Sequence, residues 1–387
     1  MCVGTTVTNG TKTIPSTKGK FALTSFAGSV KNPHNFKGAM VRIASINNHG
    51  CVRMHKMNLV LLAKGHEVHL CTSELTTFID DYTSYTLAST FEQLQQWMKN
   101  IEPYVDMLHA HNEPSYYVSL WKEVSNKPVI LDVHDSYLIR STPEEFKTRM
   151  DAGNQSLRIS TEERTNFQLA DGLVFPSESM RELVCKEFKL TQPSLTLPSY
   201  LPERFYQYEA QQWYGGLVYE GRTIFSDKEG PSSYCDYREL AKECDRLKID
   251  FHLYGNQDSK EYDEAYPTAI RHKPCLMHKM IKRIQAFDWG LVGNIKSYEN
   301  WEKAMPNKLF EYMAANVPVV CINAGEAAKF VLKHDVGIVV NDLEELRNRW
   351  KEHTEKRKNI VKLRRKFSME SHIGELEQFY RGVLSGN

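Results

Sequence analysis

The sequence predicts an α/β protein made of two parallel-sheet domains. Three observations carry that prediction. Short apolar runs alternate with helical patterns through residues 41–175, the alternation restarts after Leu197-Pro198-Ser199-Tyr200-Leu201-Pro202, and near Pro306 a charged helix start runs directly into a valine-rich strand. Strands separated by helices pair in parallel, with helices covering both sheet faces. The 387 residues suffice for two domains, each with its own core.

The first 38 residues are rich in Thr, Ser, Gly and Lys and lack the apolar stretch of a secretory signal, so they read as an N-terminal extension, 1–38. Residues 39–46 read as a first buried strand, ending in the polar loop Asn47-Asn48-His49-Gly50. A helix over 53–63 and a strand over 65–70 complete the opening βαβ pattern. No Gly-x-Gly-x-x-Gly follows the first strand, which argues against a dinucleotide cofactor. Further strands are predicted at 105–110, 128–133 and 172–175, placing a first domain at 39–200. The second domain, 201–365, has candidate strands at 217–220, 249–254 and 288–292. A hinge near 195–215 leaves a substrate cleft between the halves. The polar, helical stretch over 342–382 shows its best apolar periodicity around Leu376, Phe379, Tyr380 and Val383, and residues 366–387 form a separate last segment.

Composition excludes several classes. Hydrophobic residues make up 41%, with no run long enough to span a bilayer. Lys and Arg number 49 against 48 acidic residues, so no overall field favours nucleic acid. The eight cysteines are scattered without a Cys-x-x-Cys pair, which suits a reducing compartment and predicts a soluble, cytoplasmic protein.

The segment from Pro306 to Val320 is the most specific. Pro306 suits a first helical turn, good helix formers follow, Asn316 and Pro318 stop the helix, and Val317, Val319 and Val320 begin a strand. Lys308 and Glu311 share one helix face, a spacing compatible with an exposed ion pair or with a pair facing a ligand. The segment resembles the donor-site signature of retaining nucleotide-sugar glycosyltransferases of the GT-B type, two Rossmann-like domains facing each other across a cleft, especially family 4. The resemblance spans about residues 40–380. It implies that Glu311 holds the ribose hydroxyls of a nucleotide sugar and that the helix start, with Asn307 and Lys308, lies near the diphosphate. Two positions depart from the pattern: Asn316 replaces the usual glycine, and Lys303 stands where the first acid of the family's acidic pair would be.

The remaining candidates follow from the same resemblance. Gly221-Arg222, after a strand, is similar to the family's phosphate-binding loop, which sets Arg222 and Lys228 on donor oxygens; the alternative is a turn with a solvated arginine. Asn256 either caps the next segment or faces ligand. His278, Lys279 and Met280 fall where the family holds the base by backbone groups, so base identity is not written in side chains. The loops after two first-domain strands resemble acceptor-side walls, with His134 near the transferred sugar and His111, Glu113 and Asp135 shaping the acceptor pocket. Gly50 permits close approach to backbone amides, and Arg53 is a candidate contact for the diphosphate or an acidic acceptor. Glu326 is the candidate sugar contact in place of an acid at Lys303, together with the amides of Ala327 and Ala328; it also suits an ordinary helix N-terminus. No His-Glu-x-x-His helix is present, so no obligatory metal is expected.

The resemblance thus implies transfer of a sugar from a nucleoside-diphosphate donor to an acceptor hydroxyl on a glycan, lipid, protein or modified nucleic-acid base, with retention. Two alternatives stay open: a sugar-nucleotide epimerase on the same scaffold, and a binding protein without turnover.

Overall fold

The computed structural model describes residues 40–112, 114–136, 138, 155–207, 213–224, 233–255 and 258–386. Lys228, Asn256 and Glu113 lie outside the described residues.

The first lobe runs β1 (Arg42–Asn47), α1 (Val52–Ala63), β2 (Glu67–Thr72), β3 (Ser84–Leu87), α2 (Phe91–Ile101), β4 (Met107–His111), α3 (Tyr117–Val124), β5 (Val129–Asp132), α4 (Gln155–Leu169), β6 (Gly172–Phe175), α5 (Glu178–Phe188) and β7 (Ser194–Thr196). All its strand pairs are parallel, in the order β3-β2-β1-β4-β5-β6-β7. The inner strands β4, β5 and β6 are buried along their whole length, as a sheet covered on both faces requires.

The second lobe comprises β8 (Leu217–Glu220), α6 (Arg238–Leu247), β9 (Phe251–Tyr254), α7 (Lys260–Ala265), β10 (Ile270–His272), α8 (Met277–Ile284), β11 (Trp289–Gly293), α9 (Glu299–Lys303), α10 (Asn307–Ala314), β12 (Val319–Ile322), α11 (Gly325–His334) and β13 (Gly337–Val339). Its sheet is again all parallel, ordered β10-β9-β8-β11-β12-β13. Both sheets reverse direction of growth at one point, between β1 and β4 and between β8 and β11, where an open α/β sheet leaves a crevice at the carboxyl ends of its strands. The two parallel sheets expected from the sequence are therefore present.

Three helices close the described chain: α12 (Leu343–Asn348), α13 (His353–Leu363) and α14 (Met369–Ser385). The predicted helical stretch is thus interrupted, since 3-10 turns separate its pieces. In α14, Leu376, Tyr380 and Val383 are buried, and the helix packs on the first lobe. Glu377 accepts from Lys64 at 2.6 Å and is hydrogen-bonded to His66 at 2.9 Å, while the Tyr380 hydroxyl meets His109 at 2.7 Å. Among the described residues, no helix is long and apolar enough to cross a membrane.

Asn316 stands at φ +59, the left-handed conformation that ends α10 before β12, so asparagine does there what glycine does most readily. Pro306 sits one place earlier than expected, as the residue before the first helical turn.

Candidate active site

The carboxyl ends of β1, β4 and β5 build one wall. After β1, the Asn47 side chain ties down the loop: its Oδ1 accepts from the amides of His49 and Cys51, both at 3.1 Å, and its Nδ2 donates to the His111 carbonyl at 2.6 Å. Gly50, at φ +61, lies so close to Thr76 that a Cβ there would fall 2.0 Å from Thr76 Oγ1.

Two expectations for this wall are corrected. Arg53 does not face the cleft: it is 3% exposed, and its Nε and Nη2 donate to Asp132 at 2.8–3.1 Å. Arg53, in the first turn of α1, meets Asp132 at the carboxyl end of the inner strand β5, where a fully buried carboxylate needs a cation. His111 is likewise fully buried beneath the surface, with Nδ1 3.2 Å from Asp132 Oδ2, so it supports the wall and does not line a pocket. His134 completes the cluster, its Nε2 lying 2.5 Å from the same Asp132 oxygen. Burial alone would lower the His134 pKa, but the neighbouring Cys51 sulfur and the Asp132 carboxylate override it and lift the value to about 10. Burial opposes the charge on Asp132 as well, yet Arg53 and His134 hold its carboxyl well below the usual range.

The spacing in sequence gave no compact ligand set, but folding brings one ligand atom each of His111, Asp132 and His134 within 4.8 Å of one another. The Arg53 guanidinium and two imidazoles already surround that carboxylate, so the donor set is a hydrogen-bonded cation–carboxylate cluster that a second cation fits poorly. Asp135 lines a cavity of about 280 Å³ with Asn112, Tyr116, Val133 and Glu163.

The opposite wall is built at the end of β8. Gly221, at φ +124, leaves room beside its Cα, where a Cβ would stand 3.6 Å from Lys308 Nζ. Lys308 lies 4.9 Å over the Tyr219 ring and 5.0 Å over the Trp301 ring, and Tyr219 donates its hydroxyl proton to the Arg222 carbonyl at 3.1 Å. The exposed Arg222, Gly221 and Lys308 therefore gather at one strand end, although they are distant in sequence.

Glu311 differs from the exposed residue that its sequence position suggested. It is 5% exposed, and its Oε1 accepts from Lys56 Nζ at 2.7 Å. Lys56 comes from α1 of the first lobe and is fully buried; it also donates to the Ser199 carbonyl at 3.3 Å and to Asn307 Oδ1 at 3.4 Å. An apolar helix face cannot bury an ammonium without acceptors, and these three supply them. Glu220 lies beside Glu311, and burial together with the Glu311 charge raises its pKa well above the usual range. At Glu311 burial favours the neutral form, but Lys56 and the hydrogen bond with Glu220 outweigh it and keep the pKa low.

Glu326 opens α11 and pairs with Lys329 at 2.7 Å, one turn on, as an ordinary helix-start glutamate does. Ala327 is buried and Ala328 half-buried. Three residues that matter here were not foreseen: Lys56, Glu220 and Glu302, whose Oε2 reaches 2.4 Å from where a Cβ on Gly325 would be. Glu220 stands directly before Gly221, and Glu302 directly before Lys303, so proximity to a motif was the available signal for both. Lys56 had none, because it sits in a helix that also carries Arg53, His55 and Asn58. His278 lies in α8, not in a loop, with its ring 5.7 Å from that of Phe78 in the first lobe.

Two family models match, one on each lobe. The model described as Glycosyltransferase Family 4 matches residues 54–196, and that described as Glucosyltransferase 3-like, C-terminal domain, matches residues 232–370. The chain is a glycosyltransferase of the GT-B fold, related to family 4. Among curated proteins, no sequence matches it. Solved structures of the same fold include sucrose-phosphate synthase from Thermosynechococcus elongatus, at 14% identity and a TM-score of 0.63 over 90% of this chain and all of that one. Anabaena HepE in complex with UDP-glucose aligns at 13% identity and a TM-score of 0.61, covering 87% of this chain and 99% of that one. An α-glucosyltransferase in complex with UDP and a 13-mer DNA containing an HMU base gives 13% identity and a TM-score of 0.64, over 90% and 100%. At such identities these likenesses establish the GT-B architecture of this glycosyltransferase.

Proposed function

We propose that this glycosyltransferase moves a hexose or related sugar from a nucleoside diphosphate to an acceptor hydroxyl with retention at the anomeric carbon. The observation that carries the reading is the convergence of Gly221, Arg222 and Lys308 at the end of β8, one helical turn from Glu311. Departure of the leaving group builds negative charge on the diphosphate, and Arg222 with Lys308 stabilises that charge beyond the ground state. Lys228, outside the described residues, is proposed as a third cation. Gly221 lets the backbone approach the phosphates, Asn307 lies at the start of the donor helix, and Glu311 takes the ribose hydroxyls. Asn256 is proposed at the base-side loop. His134 donates a hydrogen bond to the transferred sugar, held in place by Asp132. Glu326 and the amides of Ala327 and Ala328 are proposed at the sugar hydroxyls, while Gly50, Glu113 and Asp135 bound the acceptor side. Arg53 and His111 act as positioning residues for Asp132. The donor phosphate receives the acceptor proton, so no metal step is required.

Lobe limits of 39–200 and 201–365, with 366–387 bracing the first lobe, and a cytoplasmic location belong to this proposal. Uridine diphosphate is the first base to test, because two structures of the same fold were solved with UDP or UDP-glucose. One observation favours a second reading, nucleotide binding without turnover: Lys56 already occupies the Glu311 carboxylate. Incubation with UDP-glucose and a panel of hydroxyl acceptors separates the two, since transfer with retained anomeric configuration supports the first. An inverted product, or binding without product across the panel, overturns it.

A further inference from the structure

Glu220 closes β8 directly before Gly221, and its side chain lies beside Glu311. It is 8% exposed, and its Oε1 is buried without a hydrogen-bond partner. Both acids stand on fixed supports. The hydroxyl of Tyr312, one residue after Glu311 on α10, accepts the Glu220 amide proton at 3.2 Å, and its own proton faces the Val218 and Leu291 carbonyls at 3.2 and 3.3 Å. The Tyr312 ring fills the space that a side chain at Gly290 would need, since a Cβ there would fall 2.4 Å from it. The helix carrying Glu311 is thus docked on the strand carrying Glu220.

A hydrogen bond joins the two carboxyl groups, and ionised carboxylates only accept, so one of the pair carries a proton. The neighbours decide which. Glu311 accepts from Lys56 at 2.7 Å, and that ammonium also reaches Ser199 and Asn307. Glu220 has no cation bonded to it. Lys308 faces the Tyr219 and Trp301 rings at 4.9 and 5.0 Å and makes no ion pair among the described residues. The charge therefore rests on Glu311 and the proton on Glu220. An ionised carboxylate offers about four lone-pair sites. Lys56 and Glu220 take two of those at Glu311, which leaves two for a pair of neighbouring hydroxyls. The charged and titratable groups facing Glu220 are Glu311, Lys308 and Tyr312 from α10, Lys56 from α1 and Cys275 from the segment before α8.

We propose that Glu220 is a positioning residue of the donor site: as a neutral acid it donates an O–H hydrogen bond to the Glu311 carboxylate, turning the remaining lone pairs toward the ribose hydroxyls and leaving Lys308 to the diphosphate. This role rests on the nucleotide-sugar reading of the site. An ionised Glu220 would repel Glu311 and compete with the phosphates for Lys308.

The test is calorimetric titration of the full chain with UDP-glucose at pH 7, for wild type, Glu220→Gln and Glu220→Leu. Gln is isosteric, uncharged and still a donor, so its affinity is expected within about threefold of wild type. Leu fills the space without a donor and is expected to bind about tenfold more weakly or worse, with an unchanged circular dichroism spectrum. The infrared difference spectrum of wild type minus Glu220→Gln at pH 7 is expected to show the carbonyl stretch of a protonated carboxylic acid. Leu binding as tightly as wild type, Gln binding as weakly as Leu, or a difference spectrum with carboxylate bands alone overturns the proposal and leaves the donor site standing. Absence of binding by wild type to UDP-, GDP- and ADP-glucose overturns the donor-site reading and this role with it. Should Glu220→Leu fail to fold, the acid band and the Gln affinity decide.

Discussion

Glu311 shows how a single residue changes meaning between sequence and structure. Its spacing from Lys308 is visible in the chain, but its partner is Lys56, 255 positions away, and no local pattern announces such a contact. Glu311→Gln is expected to weaken nucleoside diphosphate binding by roughly 1.5–3 kcal/mol, the usual contribution of a hydrogen bond to a charged group. The buried pair adds a second effect. Gln leaves the Lys56 ammonium without a counter-charge, so the variant also loses stability, by about 3–5 kcal/mol if the ammonium stays charged. Calorimetric titration and urea denaturation of the same variant measure the two losses. An affinity equal to wild type would remove Glu311 from the nucleotide site. Glu220 offers a pH test. Its folded pKa is raised, so the unfolded chain gives up that proton first, and Glu220 costs stability as pH climbs from about 4.5 toward the folded value. Glu220→Gln is therefore expected to match wild type near pH 4 and to melt at a higher temperature at pH 8, by differential scanning calorimetry. A gap that shrinks with rising pH would contradict the assignment of the proton to Glu220.

At the level of elements, the buried strands were legible because runs such as Met107-Leu108-His109-Ala110 can hardly be anything else in a covered parallel sheet. The strands β3, β7, β10 and β13 were not. They are edge or late strands of three or four residues, partly exposed for the most part, and carry too few apolar positions to stand out. The candidate site was legible to the extent that its residues sit at strand ends, as Gly221, Arg222 and His134 do. It was illegible where a polar side chain turns inward, as Arg53, Lys56 and His111 do, because polarity in sequence reads as exposure. The turn after α10 can be tested directly. An ordinary side chain at φ +59 costs about 1–2 kcal/mol, so Asn316→Ala should lower stability by about that amount while Asn316→Gly is neutral or better. The last helix supports a similar experiment: Tyr380→Phe removes the hydroxyl bonded to buried His109 and is expected to cost about 1–3 kcal/mol in urea denaturation.

For the molecule as a whole, two lobes of closely similar strand order are linked, among the described residues, by polar contacts that include the Lys56–Glu311 pair, Lys56 with Asn307, the Arg204–Asp81 pair, and the Ser177 hydroxyl donating to the Lys303 carbonyl at 2.7 Å. A ligand bridging such lobes and bound only by the folded state stabilises both together. UDP at one hundred times its dissociation constant should add about 2.7 kcal/mol, visible as a higher melting temperature in a thermal shift assay. Absence of any shift with UDP, GDP or ADP at millimolar concentration would count against a donor site while leaving the two-sheet architecture intact.

The α14 helix has a consequence for how the chain is made. Gly172 in β6 has no side chain because Phe379 Cζ stands 2.8 Å from where its Cβ would be, and His109 in β4 waits for Tyr380. Both partners are synthesised after the entire second lobe. At ~5–20 residues per second, the ribosome leaves the first lobe without its covering helix for roughly 10–40 s after residue 200 has been added. During that interval an apolar face next to β6 lies open to chaperones. Completion of the oldest part of the molecule is thereby tied to the arrival of the newest.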